Sequence, residues 1–573
     1  MNRWLDNLRL RLASVDALLL LAALGLIVGL LAGGVTLLFR LLVEVLQGRF
    51  LAHPEGYEAL GWQARLFLPL GGGVVIGVVL QLLKQEDRST GIVHVMERLN
   101  YHEGHLPLRN ILVQFFGAAT SLVSGHSVGR EGPSVHLGAG SGSVLGQVLR
   151  LPNNSIRSLV ACGAAAAIAA SFNTPLAGVI FAMEVILLEY TLSGFVPVIL
   201  AAVSATVLSR AVYGADAAFS VPAFELASLL EMPWILVMGL VIGGIAASFN
   251  GLLNRITTLS SQWPILVRCS LGGLLTGLLA LLAPEIMGVG YDTITTAMLG
   301  QLGIGVLASI LLLKLIATAL AIGLGIPGGL IAPSLVLGGM VGGIAGITGA
   351  HLMPGTIGES GMYVMIGMAA MMAAVLNAPL AALLALLELT GNPNIILPGM
   401  LAVITATLTH SELFGRQSVF IMLLRARGLD YRHNPFAQGL RRIGIASLAD
   451  HSFVRHAQAI TTEQARVLLT EPPRWVLVEN EQGPVALLPG GDLAHALEVA
   501  SEGQTLDLLA IPGQRLQLTG IHQQATLQEA MGRLDAEQAE ALYIWRPSAP
   551  QILRIEGVVT REAINKAWRG VPG

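Results

Sequence analysis

The hydrophobic positions of this 573-residue chain gather into long blocks with few polar interruptions. Apolar runs occupy about 17–47, 66–84, 109–123, 133–149, 156–170, 175–190, 193–213, 228–257, 265–283, 303–324, 334–350, 361–375, 379–390 and 394–410. Runs of this kind predict helices that enter a bilayer. Several fall short of the roughly 20 residues that a simple span requires, and Gly or Pro interrupts many of them. Such segments predict broken or re-entrant helices held inside protein, because lipid cannot satisfy the backbone groups that a break exposes. Beyond about Asp430 the apolar runs shorten, and charged residues return at the density of a soluble domain. The chain thus divides into an N-terminal segment (1–16), a membrane domain (17–428), a linker (429–444) and a C-terminal domain (445–573). The fold class expected is an all-α polytopic membrane protein followed by a small α/β domain.

The membrane part repeats itself. Gly239-Leu-Val-Ile-Gly243-Gly244 echoes Gly29-Leu-Leu-Ala-Gly33-Gly34, and Gly272, Gly273 and Gly277 echo Gly72, Gly73 and Gly77. Pro333-Ser-Leu-Val-Leu-Gly338 follows Pro133-Ser-Val-His-Leu-Gly138 by 200 residues. Asn377-Ala-Pro379-Leu-Ala through Glu388 follows Asn173-Thr-Pro175-Leu-Ala through Glu184 by 204. Four matches in one order, with little drift in spacing, predict a two-fold duplication with halves at about 17–213 and 228–428. Spacing alone leaves open whether the halves run parallel or inverted.

Composition sharpens this picture. Only 12% of residues are charged, against roughly 25% in an ordinary soluble domain. That excludes a disordered chain, a basic nucleic-acid binder and an ordinary soluble enzyme. The net charge of −3 says nothing about partners. From Gln301 to His410 only Lys314, Glu359 and Glu388 carry charge. Cys162 and Cys269 both lie in apolar segments, which suits a reducing compartment around the cysteine-free tail. The run from Ala17 is too long for a cleavable signal, and Arg3, Arg9 and Arg11 beside it favour a cytoplasmic N-terminus. The 67 glycines exceed what an apolar body needs.

One stretch offers a use for glycine: Ser124-Gly-His-Ser-Val-Gly129-Arg130-Glu131-Gly132-Pro133. Pro133 suits the first position of a helix, where its missing N–H costs nothing. The glycines let bare amides approach a small ligand, and a helix N-terminus favours an anion. Glu131 is itself an anion tethered at that mouth, either paired structurally with Arg130 or competing with a free anion for the amides; an ionisable group at this depth favours the second role. The duplicated stretch Gly325-Ile-Pro-Gly328-Gly329-Leu330-Ile331-Ala332-Pro333 repeats the pattern without charge, so the amides of Leu330 and Ile331 form a second donor set. Partial charges hold an ion loosely enough to release it, and much of the glycine excess is expected to serve these mouths. Ser89-Thr90-Gly91-Ile92 could add a hydroxyl, although Thr90 also reads as a plain helix cap. His126 and His136 flank the signature without metal-ligand spacing.

On these residues the chain resembles the CLC family of chloride channels and chloride/proton antiporters. Gly129-Arg-Glu-Gly-Pro133 matches that family's signature in full, and Gly329-Leu-Ile-Ala-Pro333 matches a second signature except at Ile331, where an aromatic is usual. Ser89-Thr-Gly-Ile-Val93 is a degraded match to a third. The resemblance covers about 17–428 and implies a homodimer in the lipid bilayer, one pore per subunit, with inverted halves built from broken and re-entrant helices. It implies chloride held near Thr90, Gly129, Arg130, Glu131, Gly132, Leu330, Ile331 and Phe420, with Glu131 as the gate. Phe420 stands where the family's pore tyrosine is usual. Val185 stands where family antiporters commonly carry a second, proton-carrying glutamate. The expectation is therefore a voltage- or pH-gated chloride channel, with a chloride/proton antiporter as the alternative and a membrane-embedded enzyme as a remote one. A bacterial inner membrane with both termini cytoplasmic is the expected location.

The tail holds two similar stretches, Trp475-Val-Leu-Val-Glu with Leu487-Leu-Pro-Gly-Gly-Asp492 and Ala541-Leu-Tyr-Ile-Trp545 with Ile555 to Arg561. Each reads as a strand pair, a polar turn and a helix. They resemble a tandem pair of CBS (cystathionine-β-synthase-type) domains. Thr560 is the residue that this resemblance offers to an adenine nucleotide, but the acid usual after it is missing, so a structural role is favoured. No resident cofactor or metal is expected.

Overall fold

The computed structural model describes residues 2–14, 17–215, 219, 224, 226–429, 439–481, 483–549 and 552–569. Most of the expected linker, residues 430–438, lies outside the described residues. Two compact units form: Leu21–Leu145 with Arg157–Tyr431, and Met1–Leu20 with Gly146–Ile156 and Arg432–Gly573.

After α1 (Asn2–Ala13) the first half of the membrane body runs α2 (Leu18–Gln47), α3 (Trp62–Leu82), α4 (Gly91–Tyr101), α5 (Leu108–Val123), α6 (Glu131–Val148), α7 (Asn153–Phe172), α8 (Pro175–Phe181) and α9 (Leu192–Tyr213). The second half repeats that order as α10 (Met232–Ser260), α11 (Ile265–Ala280), α12 (Tyr291–Met298), α13 (Ile304–Gly323), α14 (Ile331–Leu352), α15 (Ser360–Leu376), α16 (Pro379–Thr390) and α17 (Ile396–Leu408), and α18 (Val419–Ala426) follows. Among the described residues, eight helices are long and apolar enough to cross a membrane. Helices α5, α8, α11, α15 and α16 fall short, as the interrupted runs predict. Helices α4 and α12 escape the hydropathy reading because they are brief and partly polar, GIVHVMERLNY and YDTITTAM.

Most of the glycine excess serves helix packing, which corrects its expected assignment to the ion. A Cβ at Gly138 would stand 2.3 Å from the carbonyl oxygen of Gly163, closing the α6–α7 contact, and one at Gly338 would stand 2.1 Å from that of Gly367 between α14 and α15. Helices α3 and α11 meet the same way, with Gly73 against Cys269 and Gly273 against Pro69. In an apolar solvent the hydrophobic effect does not draw helices together, so close backbone approach supplies the contact.

The Asn-x-Pro repeats also have a local cause. Asn173 and Asn377 end α7 and α15 in the left-handed region, at φ 59° and 54°, a conformation that asparagine tolerates. Pro175 and Pro379 then open α8 and α16, where no N–H is needed. The bare amides at each of these helix starts are capped from the opposite half. Glu388 accepts hydrogen bonds from the amides of Leu176 (3.0 Å) and Ala177 (2.8 Å). Glu184 accepts from Leu380 (3.2 Å) and Ala381 (2.8 Å). Each carboxylate meets the positive end of a helix dipole.

The C-terminal part is an α/β domain around one six-stranded sheet, order β1-β3-β4-β6-β7-β8. Its first repeat is β1 (Phe453–Ala457), β2 (Ala459–Thr461), α19 (Thr462–Leu468), β3 (Trp475–Asn480), β4 (Gly483–Pro489) and α20 (Gly490–Val499). The short β5 (Thr505–Asp507) pairs with β2. The second repeat is β6 (Leu516–His522), α21 (Leu527–Ala536), β7 (Ala541–Ala549), β8 (Ile552–Thr560) and α22 (Arg561–Arg569). In each repeat a parallel pair precedes an antiparallel hairpin: β1 with β3 then β3 with β4, and β6 with β7 then β7 with β8. Each also starts its first helix with a capping box, Thr461 with Gln464 and Thr526 with Glu529. No polar turn separates hairpin from helix, contrary to the sequence reading: α20 begins directly after Pro489 and α22 directly after Thr560.

Candidate functional site

The two glycine-rich signatures meet. Gly129 N–H donates to the Gly329 carbonyl at 2.8 Å, and Gly329 N–H returns the bond to Gly129 at 2.7 Å. A Cβ on Gly132 would lie 2.7 Å from the Gly329 Cα, so only glycine permits this approach. Helices α6 and α14 therefore start from one paired turn, at Glu131 and Ile331. Pro133 and Pro333 stand third in their helices rather than first, still within the turn whose amides lack intrahelical partners. The bridge also corrects one expectation. The Gly129 amide is spent on Gly329 and has no donor left for an ion, so the open amides belong to Arg130, Glu131 and Gly132 at one mouth and to Leu330 and Ile331 at the other. Leu330 and Ile331 are buried beside the bridge.

Glu131 is fully buried. Its Oε1 accepts a hydrogen bond from the Tyr291 hydroxyl, while Oε2 has no hydrogen-bond partner among the described residues. The Arg130 Nε is 3.8 Å from Oε1, too far for a hydrogen bond, so Arg130 is a loose ion-pair partner. Its guanidinium instead lies 5.3 Å from the centre of the Tyr291 ring.

Two cavities flank this residue. The first, about 320 Å³, is lined by Thr90, Gly132, Leu330 and Phe420, together with Arg88, Arg268 and Arg427, and by no acidic residue among the described residues, although Glu97 pairs with Arg427 at 3.4 Å. The second, about 450 Å³, is lined by Arg130 and Tyr291, with Arg40, Glu44, Glu55 and Asp292. Gly132 opens to one cavity and Arg130 to the other, and Glu131 stands between them in the chain. The first cavity is a cationic funnel that concentrates anions; the second mixes both signs.

Thr90 occupies the N-cap position of α4 without capping it. Gln114 of α5 takes that task by accepting from the Gly91 amide at 2.6 Å, so the Thr90 hydroxyl is not consumed by the helix. Phe420, on α18, is buried and supplies a ring without a donor. Val185 is buried and apolar, and the adjacent Glu184 is engaged as the cap of α16. His136 hydrogen-bonds to His94 at 2.8 Å and His126 to Ser124 at 2.9 Å, both inside the protein. No group of three or more metal-ligating side chains gathers among the described residues. In the tail, the Thr560 hydroxyl accepts from the Ala563 amide at 3.2 Å and so caps α22.

Sequence reasoning missed Tyr291 and the three funnel arginines, and saw Lys314 only as an isolated charge without a role. The Lys314 ammonium donates to the carbonyls of Ile286 (3.1 Å) and Gly288 (3.2 Å), anchoring the loop that delivers Tyr291. The repeat spacing held the signal for Tyr291: the loop before α12 lies 200 residues after the Thr90 loop before α4.

Comparison with known proteins agrees with this architecture. A family profile described as voltage gated chloride channel matches residues 72–411. A putative chloride channel protein, ClcB-like, of Ralstonia nicotianae is 35% identical over 72% of this chain and 97% of its own length. The H(+)/Cl(-) exchange transporter ClcA of Vibrio cholerae is 31% identical over 70% of this chain and 88% of its own. The crystal structure of a eukaryotic CLC transporter covers 96% of this chain and 99% of its own, with 19% identity and a TM-score of 0.61, and so shares the fold through the tail. With the profile spanning more than half its length, the chain belongs to the CLC family of voltage-gated chloride channels and chloride transporters, and its function is anion transport across a membrane.

Proposed function

We propose that this protein exchanges chloride for protons, with Glu131 as the moving group. One observation carries the reading: a fully buried carboxylate whose neighbours in the chain, Arg130 and Gly132, open onto separate cavities. In this reading the carboxylate fills the mouth at the starts of α6 and α14, beside the backbone of Glu131 and Ala332, where a chloride ion would otherwise sit. Protonation removes its charge and frees the amides, and chloride entering from the arginine-lined cavity takes its place. Because the same residue alternates between carrying a proton and yielding to an anion, the two ions are coupled. The Vibrio relative named as an exchanger supports this reading above the channel expected from sequence.

The test is a liposome assay that reads both ions. An outward chloride gradient should drive protons uphill into the vesicles, and Glu131→Ala should keep chloride flux while abolishing proton movement. Chloride flux without proton movement in the parent protein would defeat the exchange reading.

Passive conduction is the second reading, favoured by Val185, which places no acid where family antiporters commonly have one, and by the Ralstonia relative named as a channel. The homodimer, the bacterial inner-membrane location and the cytoplasmic termini belong to the same proposal. Exposed apolar side chains at Leu176, Leu380 and Leu397 on α8, α16 and α17 suit either a second copy or lipid. The two β-α-β-β-α repeats of the tail support a CBS-like pair in a structural role, since Thr560 is committed to a helix cap.

A further inference from the structure

Tyr291 is held on every side. Its ring packs edge-on against Phe172 at 6.2 Å and Phe219 at 5.7 Å, with the Arg130 guanidinium at 5.3 Å. Its backbone begins α12 after Gly288 and Gly290, at φ 60° and 91°, a turn that Lys314 fixes through the Ile286 and Gly288 carbonyls. A hydroxyl presented on so rigid a mount is pre-organised for one acceptor, and that acceptor is Glu131 Oε1. Oε2 is enclosed and unpartnered among the described residues, so among them the Tyr291 bond is the one side-chain hydrogen bond to this carboxyl. The repeat gives the arrangement a logic. The Thr90 loop lines the arginine-bearing cavity, and its counterpart 200 residues later presents Tyr291 to the other. Each mouth thus receives a hydroxyl from the start of the corresponding helix, Thr90 just ahead of α4 and Tyr291 as the first residue of α12.

We propose that Tyr291 is the latch of the gate: its hydroxyl holds the Glu131 carboxylate in the closed position and sets the proton concentration at which the gate lets go. The inference rests on the gate reading of Glu131. Tyr291 acts through that carboxylate, so it is a positioning residue. A donor to an ionised carboxylate favours the charged form, so its removal makes release easier. The other charged groups facing this point are Arg130, 3.8 Å from Oε1, and Glu55 and Asp292 across the second cavity, with Arg40 paired to Glu44 at 2.7 Å on the same wall and Glu44 also acting on Arg130. Helix α14 contributes backbone amide but no charge, its nearest being that of Ala332.

The experiment is chloride efflux from liposomes containing the purified full chain, measured across pH for the parent, Tyr291→Phe, Glu131→Ala and the double variant. Phenylalanine keeps the ring and its contacts and deletes only the donor. Tyr291→Phe should move the half-maximal pH of flux upward by about one unit, a roughly ten-fold fall in the proton concentration required. Its flux at the acidic limit should equal the parent's, which also shows that the variant is folded. On the Glu131→Ala background the same change should do nothing. A parent-like profile in Tyr291→Phe, with Glu131→Ala flat, overturns the latch and leaves the gate standing. A steep pH dependence surviving in Glu131→Ala overturns the gate and the latch together. A further change in the double variant would show Tyr291 acting on the pore independently of Glu131, and would also overturn the latch.

Discussion

At the scale of single residues, charge inside an apolar body is scarce, so each instance has to be satisfied by something specific. Lys314 shows this well. It is fully buried, and it donates to the buried carbonyls of Ile286 and Gly288, which its removal would leave without that donor. Lys314→Met would leave those two carbonyls without their donor, at a cost of roughly 1–3 kcal/mol, and would loosen the loop ahead of Tyr291. The flux profile should then shift in the same direction as for Tyr291→Phe but by less; an acid-ward shift would contradict the anchoring role. Glu131 and Arg130 were legible in sequence because a charged pair among glycines has few explanations in a membrane. Tyr291 was not, because its partner lies 160 residues away and its surroundings, Gly-Val-Gly-Tyr, resemble any turn before a helix. The mismatch at Gly129 has the same origin: sequence shows that an amide is bare, but not that a second loop has already claimed it.

At the scale of elements, apolar runs locate helices well when lipid or protein surrounds them evenly. The windows expected from sequence fall on α2, α3, α5 to α11 and α13 to α17, whereas α4 and α12 carry too many polar residues for hydropathy to register. Those two are the helices that follow the cavity-lining loops, so the reading fails where the protein departs from lipid-like packing. The caps at α8 and α16 are a further element-level feature. Replacing either carboxylate, Glu184→Gln or Glu388→Gln, keeps the shape and removes the charge that faces the helix dipole. Each should cost roughly 1 kcal/mol, seen as a lower thermal unfolding midpoint in detergent, with pore chemistry unaffected. A midpoint equal to the parent's in both variants would mean that the amides are satisfied without them.

At the scale of the whole molecule, the duplication, the membrane body and the α/β tail were all visible in the pattern of apolar, glycine and charged positions. What was not visible was the purpose of most glycines, because helix contacts between residues far apart in sequence leave no local trace. The tail has its own chemistry. The His522 ring Nδ1 accepts from the Gln524 amide at 3.3 Å and the ring lies edge-on to Trp545, 4.9 Å between centres. Burial lowers its pKa below the ordinary 6.5, against the opposing pull of Glu529. A histidine depressed in the fold contributes stability above its unfolded value, and that contribution is lost as pH falls through the folded value. Hydrogen exchange of peptides from residues 516–549 in the full chain should therefore accelerate as pH is lowered past about 6.5, after correction for intrinsic rates, and His522→Gln should blunt that change. Equal protection in the parent on both sides of that pH would contradict the assignment.

The crossed caps of Glu184 and Glu388 bear on how such a chain arises. Neither half completes its own helix start; each borrows its carboxylate from the other. In an ancestor with only one half, the same glutamate of one copy would have capped the same helix of a second copy, a self-complementary contact of the kind that defines a two-fold dimer. Joining the genes would have turned that encounter between molecules into one within a molecule, raising its effective concentration without any new contact. The two halves, made as separate polypeptides in the same membrane, should still recognise one another.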